Sequence, residues 1–416
     1  MESALARLMA TSLAGLFLTG FALSLGANEM QFGKLAGAVF VGGALNFLVV
    51  PLLHNFGSRK RFCLAGLGTT RVVRVGIASA PILAVYGVSP AGLMWVLFAL
   101  LVLAALTGTA SETGRLSWMT DLVPGVRLGR FIGWRSAVMR CAAIVAVFVY
   151  SQFIEFWRGA GYAMVTAFQC VILFATGLGV VGLFCMAKAP EPPMSERFSP
   201  ATRWAATSLP FRDVGFRRLM AFHCSWSFSA AIAGMFFHMY MLKYLHLQDR
   251  PMGYVWVAAT DAISMVLAMV AAPIWGRLAD RWGPRRVLMR AAFVMALFPL
   301  FWIPITPAVW PLIFVVILAR VCVSGVEIGP ITMAMQMAPE RQRSVFLSVY
   351  RSVGCAAHAI APMIGGAIAY AAGPELWQLG GFTFNGLHLL FVISTVGRLA
   401  SLWWLRRIPY TPPNSR

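Results

Sequence analysis

Hydrophobic residues fall along this chain in blocks of about twenty, the length at which an α-helix crosses the hydrocarbon core of a bilayer. Short polar segments rich in arginine, glycine and proline separate the blocks. Twelve blocks can be marked, at 8–27, 34–53, 62–85, 91–118, 131–152, 162–186, 219–242, 253–275, 287–305, 309–337, 345–371 and 382–405. A soluble core would be interrupted more often by amphipathic faces. Inside a membrane, helices satisfy their own backbone groups, so the pattern predicts an all-α integral membrane protein with 12 transmembrane helices. The one long polar connection contains Ala189-Pro190-Glu191-Pro192-Pro193 and several arginines, which exclude it from the bilayer. It divides the chain into an N-terminal six-helix bundle (1–187), a cytoplasmic linker (188–218) and a C-terminal six-helix bundle (219–416).

Charge adds direction to this picture. A net charge of +20 would suggest nucleic acid in a soluble protein, but here the bases cluster in the loops between spans. One set of loops holds Arg59, Lys60, Arg61, Arg127, Arg130, Arg341, Arg343, Arg406 and Arg407. The other holds little beyond Lys34, Arg158, Lys243 and Arg250. By the positive-inside rule the first set and both termini face the cytoplasm, and the partner of such loops is membrane lipid, not nucleic acid. The first apolar run reads as a retained helix rather than a signal peptide. Seven cysteines include no C-x-x-C pair, which points to free thiols. With no P-loop, zinc spacing or nucleophile elbow, neither an enzyme nor an ATP-driven pump is expected, and no cofactor is implied.

The most informative polar segment reads Gly276-Arg277-Leu278-Ala279-Asp280-Arg281-Trp282-Gly283-Pro284-Arg285-Arg286. Glycine permits a tight turn, and the arginines hold that turn at a membrane surface. The pattern resembles the signature loop of the major facilitator superfamily, between the second and third helices of a six-helix half. A weaker copy stands at 52–60, at an offset of 226, with His54 where the second half has Asp280. Glu112-x-Gly114 pairs with Glu327-x-Gly329, Pro124 with Pro339 and Phe131 with Phe346, all at an offset of 215. The resemblance implies two pseudo-symmetric bundles that rock around a central site. It also implies a cytoplasmic gate at Gly276, Asp280, Arg281, Gly283, Arg285 and Arg286, with Glu112 and Glu327 in its charge network. Glu327 is then expected to pair with Arg277, Arg281 or Arg351.

A charge inside a span costs roughly 2.5–3.5 kcal/mol at the helix centre and needs a reason. Arg71 and Arg74 lie one turn apart on the third span, so they either attract an anion or make structural bridges to neighbouring helices. Arg140 on the fifth span and Arg320 on the tenth raise the same question. With few acids to match them, the four arginines tilt the cavity positive, which suits an anionic substrate or a negatively charged metal chelate. Asp261 on the eighth span is the most isolated acid and a candidate proton-coupling group. On the seventh span Met235, His238 and Met239 share a helical face, a soft donor set that would suit a transition metal such as copper. Methionine also fills apolar gaps without any such role. The fifth span lacks the glycine-proline motif of the superfamily's drug–proton antiporters.

The expected function is secondary active transport of a small anionic or metal-chelated solute by alternating access, with proton coupling, in a bacterial inner membrane or a membrane derived from it. Two alternatives stay open: a transition-metal (iron or copper) transporter, and a transporter-like scaffold that assembles with a membrane-complex partner.

Overall fold

Runs of apolar residues leave the backbone no partner but itself, and the chain answers with helices almost throughout. The computed structural model describes residues 1–49, 58–122, 125–191, 207–339, 342–374, 377–379 and 382–408. The loop copy around His54, Pro124, Arg341 and residues 192–206 of the linker lie outside the described residues.

The main helices among the described residues are α1 (Glu2–Thr11), α2 (Gly15–Ser24), α3 (Glu29–Ala44), α4 (Arg59–Ser79), α5 (Pro90–Leu122), α6 (Gly125–Gly159) and α7 (Met164–Ala187) on one side of the linker. On the other stand α8 (Val214–Gly234), α9 (Phe236–Met239), α10 (Gly253–Trp282), α11 (Pro284–Leu297), α12 (Val323–Met337), α13 (Arg343–Ala372) and α14 (Gly386–Arg406). A short antiparallel hairpin, Trp377–Leu379 with Phe382–Phe384, precedes α14. Among the described residues ten helical spans are long and apolar enough to cross a membrane. The other two predicted spans are present as α4 and α11. Arginines dilute the hydropathy of both, and α11 is only 14 residues long before Pro299 turns it into a 3₁₀ segment. The fold is the all-α membrane architecture expected from the pattern of blocks.

The predicted loop at 276–286 is shorter than its motif. Helix α10 continues through Trp282, because nothing between Arg277 and Trp282 breaks it once it leaves the hydrocarbon. The turn is made at Gly283 alone, at φ +82, and Pro284 opens α11, the position where a missing N–H costs least.

The two groups of helices touch most extensively through α3 and α13. Their backbones meet without side chains between them: a Cβ on Gly33 would lie 2.3 Å from the Pro362 carbonyl oxygen and 3.0 Å from the Gly366 Cα. Polar contacts across the groups are one-sided. Lys243 Nζ donates to Glu29 at 2.7 Å. The Tyr254 N–H, at the start of α10, donates to Glu155 at 2.7 Å. Arg158 donates to the carbonyls of Gln248 and Arg250. Among the described residues, all such cross-group hydrogen bonds stand at the end opposite the arginine-rich loops.

Candidate functional site

The site begins with two interrupted helices. In the first span, α1 stops at Thr11 and α2 starts at Gly15, whose φ of +48 an L side chain would resist. The freed carbonyls at the break are satisfied locally: Thr11 Oγ1 donates to Arg7 O at 2.9 Å and Ser12 Oγ to Met9 O at 3.0 Å. In the seventh span, α8 ends at Gly234, α9 covers one turn, and residues 240–244 widen into a π-helix, an irregularity found often at functional sites. The two breaks face each other. The His238 imidazole packs so closely on Gly15 that a Cβ there would stand 3.2 Å from its Cε1.

His238 Nε2 lies 3.1 Å from both carboxylate oxygens of Asp261 on α10. This pair forms a shared wall between two cavities. The larger, about 250 Å³, is lined by Arg7, Thr11, Gly15, Phe17 and Met265 besides the pair. The smaller, about 90 Å³, is lined by Arg320, Phe237, Phe298, Trp302, Thr260 and Ser264. Arg320 sits on a 3₁₀ segment, Ile317–Cys322, that interrupts the tenth span; a 3₁₀ stretch inside a helix commonly marks a hinge. Asp261 and Glu327 both attract Arg320, and Arg140, exposed on α6, repels Arg7. One cation thus flanks the acid–imidazole pair on each side.

Arg71 and Arg74 are turned elsewhere. Arg71, 3% exposed, donates through Nε and a terminal nitrogen to Gly179 O on α7 and through the other to Leu67 O. Arg74, 7% exposed, donates to Met9 O and Ser12 Oγ at the broken end of α1. A cation at a helix C-terminus is also favoured by the helix dipole. Neither residue lines either cavity. Arg71→Met and Arg74→Met are therefore expected to lower the melting temperature in detergent. Each lost hydrogen bond from the charged guanidinium contributes about 1.5–3 kcal/mol. An unchanged melting temperature with lost substrate binding would return both arginines to the substrate path.

The soft donor set does not converge. Met239 is fully buried in the core, and neither it nor Met235 lines either of these two cavities, while His238 is engaged by Asp261. Met265 and Met241 line the cavities instead. Among the described residues no cluster of three His, Cys, Asp or Glu side chains could hold a metal.

At the arginine-rich end, Glu112 pairs with Arg115 and Arg135, Arg115 also grips Glu2, and Arg135 reaches Ser3 Oγ at 3.0 Å. This network ties the start of α1 to α5 and α6. Its counterpart in the second half is loose. Asp280, Arg281, Arg286 and Glu327 are exposed, and among the described residues Asp280 and Glu327 form no ion pair. Gly276 lies within α10, and Arg285 donates to Arg406 O at 2.6 Å. Sequence alone does not single out Arg7, Gly15, Trp302 or Arg398. Arg398, on α14, donates to Met295 O at 2.7 Å. The one available signal was Thr11-Ser12 ahead of Gly15 inside an apolar run.

Residues 256–416 match the family model described as Major Facilitator Superfamily. A segment of 152 residues is 26% identical to the multidrug resistance protein MdtG of Proteus mirabilis (strain HI4320), and it spans 36% of this chain and 36% of that relative. Over nearly its whole length the chain resembles solved transporters. A point mutant of the nucleoside transporter NupG superposes with a TM-score of 0.72 at 13% identity, covering 98% of both chains. A bacterial homologue of the iron transporter ferroportin, in an inward-facing state, gives 0.69 at 13% identity, covering 98% of this chain and 97% of that one. At such identities the likeness establishes the fold.

Proposed function

We propose that this chain, whose fold and C-terminal sequence are those of the major facilitator superfamily, is a secondary transporter that carries a small anionic solute together with protons. The observation behind this reading is the His238–Asp261 pair, placed where two broken helices meet and shared by two cavities. Discontinuous helices near mid-membrane commonly build transporter binding sites. Arg7 and Arg320 outweigh the single carboxylate between them, which draws an anion. A carboxylate–imidazole pair offers a place to take up and release a proton.

The cross-group bonds at one end, with Asp280 and Glu327 in no ion pair among the described residues at the other, support a conformation closed to the outside and open to the cytoplasm. Residues 1–187 and 219–416 would rock about the pair, joined by 188–218. Both termini and the turn at Gly283 then face the cytoplasm across a bacterial inner membrane. Purified protein in liposomes, acidic outside, is expected to accumulate a member of a radiolabelled panel of small anions, and to lose that accumulation on adding a protonophore. Failure with every anion, alongside a stoichiometric co-purifying membrane protein, would favour the scaffold. The relative named as a multidrug resistance protein supports a second reading, export of an apolar organic compound, which inside-out vesicles would reveal as uptake.

A further inference from the structure

The smaller cavity carries more hydrogen-bond donors than the protein supplies acceptors for. Trp302 is 1% exposed, it lines this cavity, and its indole N–H has no partner among the described residues. A buried donor left unpaired is costly and uncommon in a native protein. Trp302 is held by its neighbours, with Phe237 at 4.9 Å and Phe298 at 6.1 Å between ring centroids. Across the cavity, Arg320 faces the Phe298 ring at 5.8 Å. His238 adds a second buried nitrogen without a partner among the described residues, Nδ1, while Nε2 is taken by Asp261. Thr260 and Ser264 also line the space, but their hydroxyls already donate to Val257 O and Thr260 O. The unmet demand is for an acceptor with negative charge.

Building on the transport reading above, we propose that this smaller cavity is the seat of the substrate's carboxylate, and that it fills only when the His238–Asp261 pair holds one proton. A planar carboxylate can meet a guanidinium through two parallel hydrogen bonds. A dianionic phosphate would put a second negative charge beside Asp261. The charges that reach the pair are few. Arg7 approaches on α1, Arg320 on the 3₁₀ segment of the tenth span, and α2 and the segment after α11 contribute none. Arg140 acts on Arg7, while Glu327 and Arg398 act on Arg320. With the pair unprotonated, Asp261 already answers Arg320 and repels an incoming carboxylate. One proton from solvent converts the pair to an imidazolium–carboxylate of zero net charge. That frees Arg320 and makes His238 Nδ1–H a donor on a residue that lines the same cavity as Trp302. By linkage, anion binding must then take up a proton and tighten as pH falls.

The test is calorimetric titration of the purified full-length protein in detergent with benzoate, acetate, inorganic phosphate and choline, each in two buffers of different ionisation enthalpy. A carboxylate is expected to bind with uptake of about one proton, more tightly at lower pH. Trp302→Phe, which keeps the ring packing, should weaken it about tenfold. Arg320→Gln should weaken it about a hundredfold or more, with Arg320→Lys retaining part of the affinity. Wild-type carboxylate affinity in Trp302→Phe and Arg320→Gln, binding without proton uptake, or tighter binding of phosphate or choline would each overturn the proposal. Carboxylate binding in detergent without uptake into liposomes would sink the transport reading and leave the seat standing. Uptake of a solute that does not compete with benzoate would do the reverse.

Discussion

Asp261→Asn is expected to abolish gradient-driven accumulation while the protein remains in the membrane at its wild-type level. The asparagine keeps an oxygen near His238 Nε2, now 3.1 Å from both Asp261 oxygens, so the local packing survives. What it loses is the charge that balances Arg320 and the group that shares a proton with His238. A carboxylate and a guanidinium about 4–8 Å apart attract by about 2–4 kcal/mol, and asparagine leaves Arg320 without that attraction. In a transporter that penalty falls on the empty site, and an anion relieves it. The variant should thus bind its substrate at least as tightly as the wild type, with no dependence on pH, and fail to release it. Accumulation in liposomes should fall by roughly two orders of magnitude, the rate equivalent of about 3 kcal/mol. Exchange of labelled for unlabelled substrate, which needs no net proton movement, should persist. Wild-type accumulation in Asp261→Asn would remove the pair from the coupling mechanism.

The architecture was open to inspection of the sequence because its signals are one-dimensional. A block of about twenty apolar residues and an arginine-rich turn are each written in consecutive positions. Individual site residues were legible for a similar reason: His238, Asp261 and Arg320 stand out as polar groups in apolar runs. Their partnerships were not. Helical spacing put His238 on a face with Met235 and Met239, yet its nearest polar neighbour is 23 residues away on another helix. Arg71 and Arg74 show the same limit from the other side. Two buried cations one turn apart suggest an anion until α1 is seen to stop at Thr11, and then Arg74 has a carbonyl to serve. That break is written only as two hydroxyl residues and a glycine, a signal too common in membrane helices to single out. Trp302 was invisible for a different reason: an unpaired indole N–H is defined by what does not surround it, which only packing reveals.

Gly33→Val is expected to open the end of the molecule that the cross-group bonds hold shut. The first added carbon would lie 2.3 Å from the Pro362 carbonyl oxygen, well inside the 3.4 Å of ordinary contact. Both atoms belong to helix interiors that cannot yield locally, so α3 and α13 must part. Glu29 opens α3 at this same end and carries the ion pair to Lys243, so separation there loosens both contacts together. Overpacking of this kind costs about 1–3 kcal/mol. Applied to only one of two conformations, it shifts their ratio by roughly 5- to 150-fold. A near-balanced rocking equilibrium would invert. The readout is a single cysteine at Ala14, an exposed residue lining the larger cavity, in a protein freed of its seven native cysteines. A membrane-impermeant maleimide should reach it from the arginine-rich side in the parent and from the opposite side in the Gly33→Val variant. Gly33→Ala should give a smaller shift in the same direction. Folded Gly33→Val protein labelled from the parent's side would show that the α3–α13 contact does not control access to the His238–Asp261 pair.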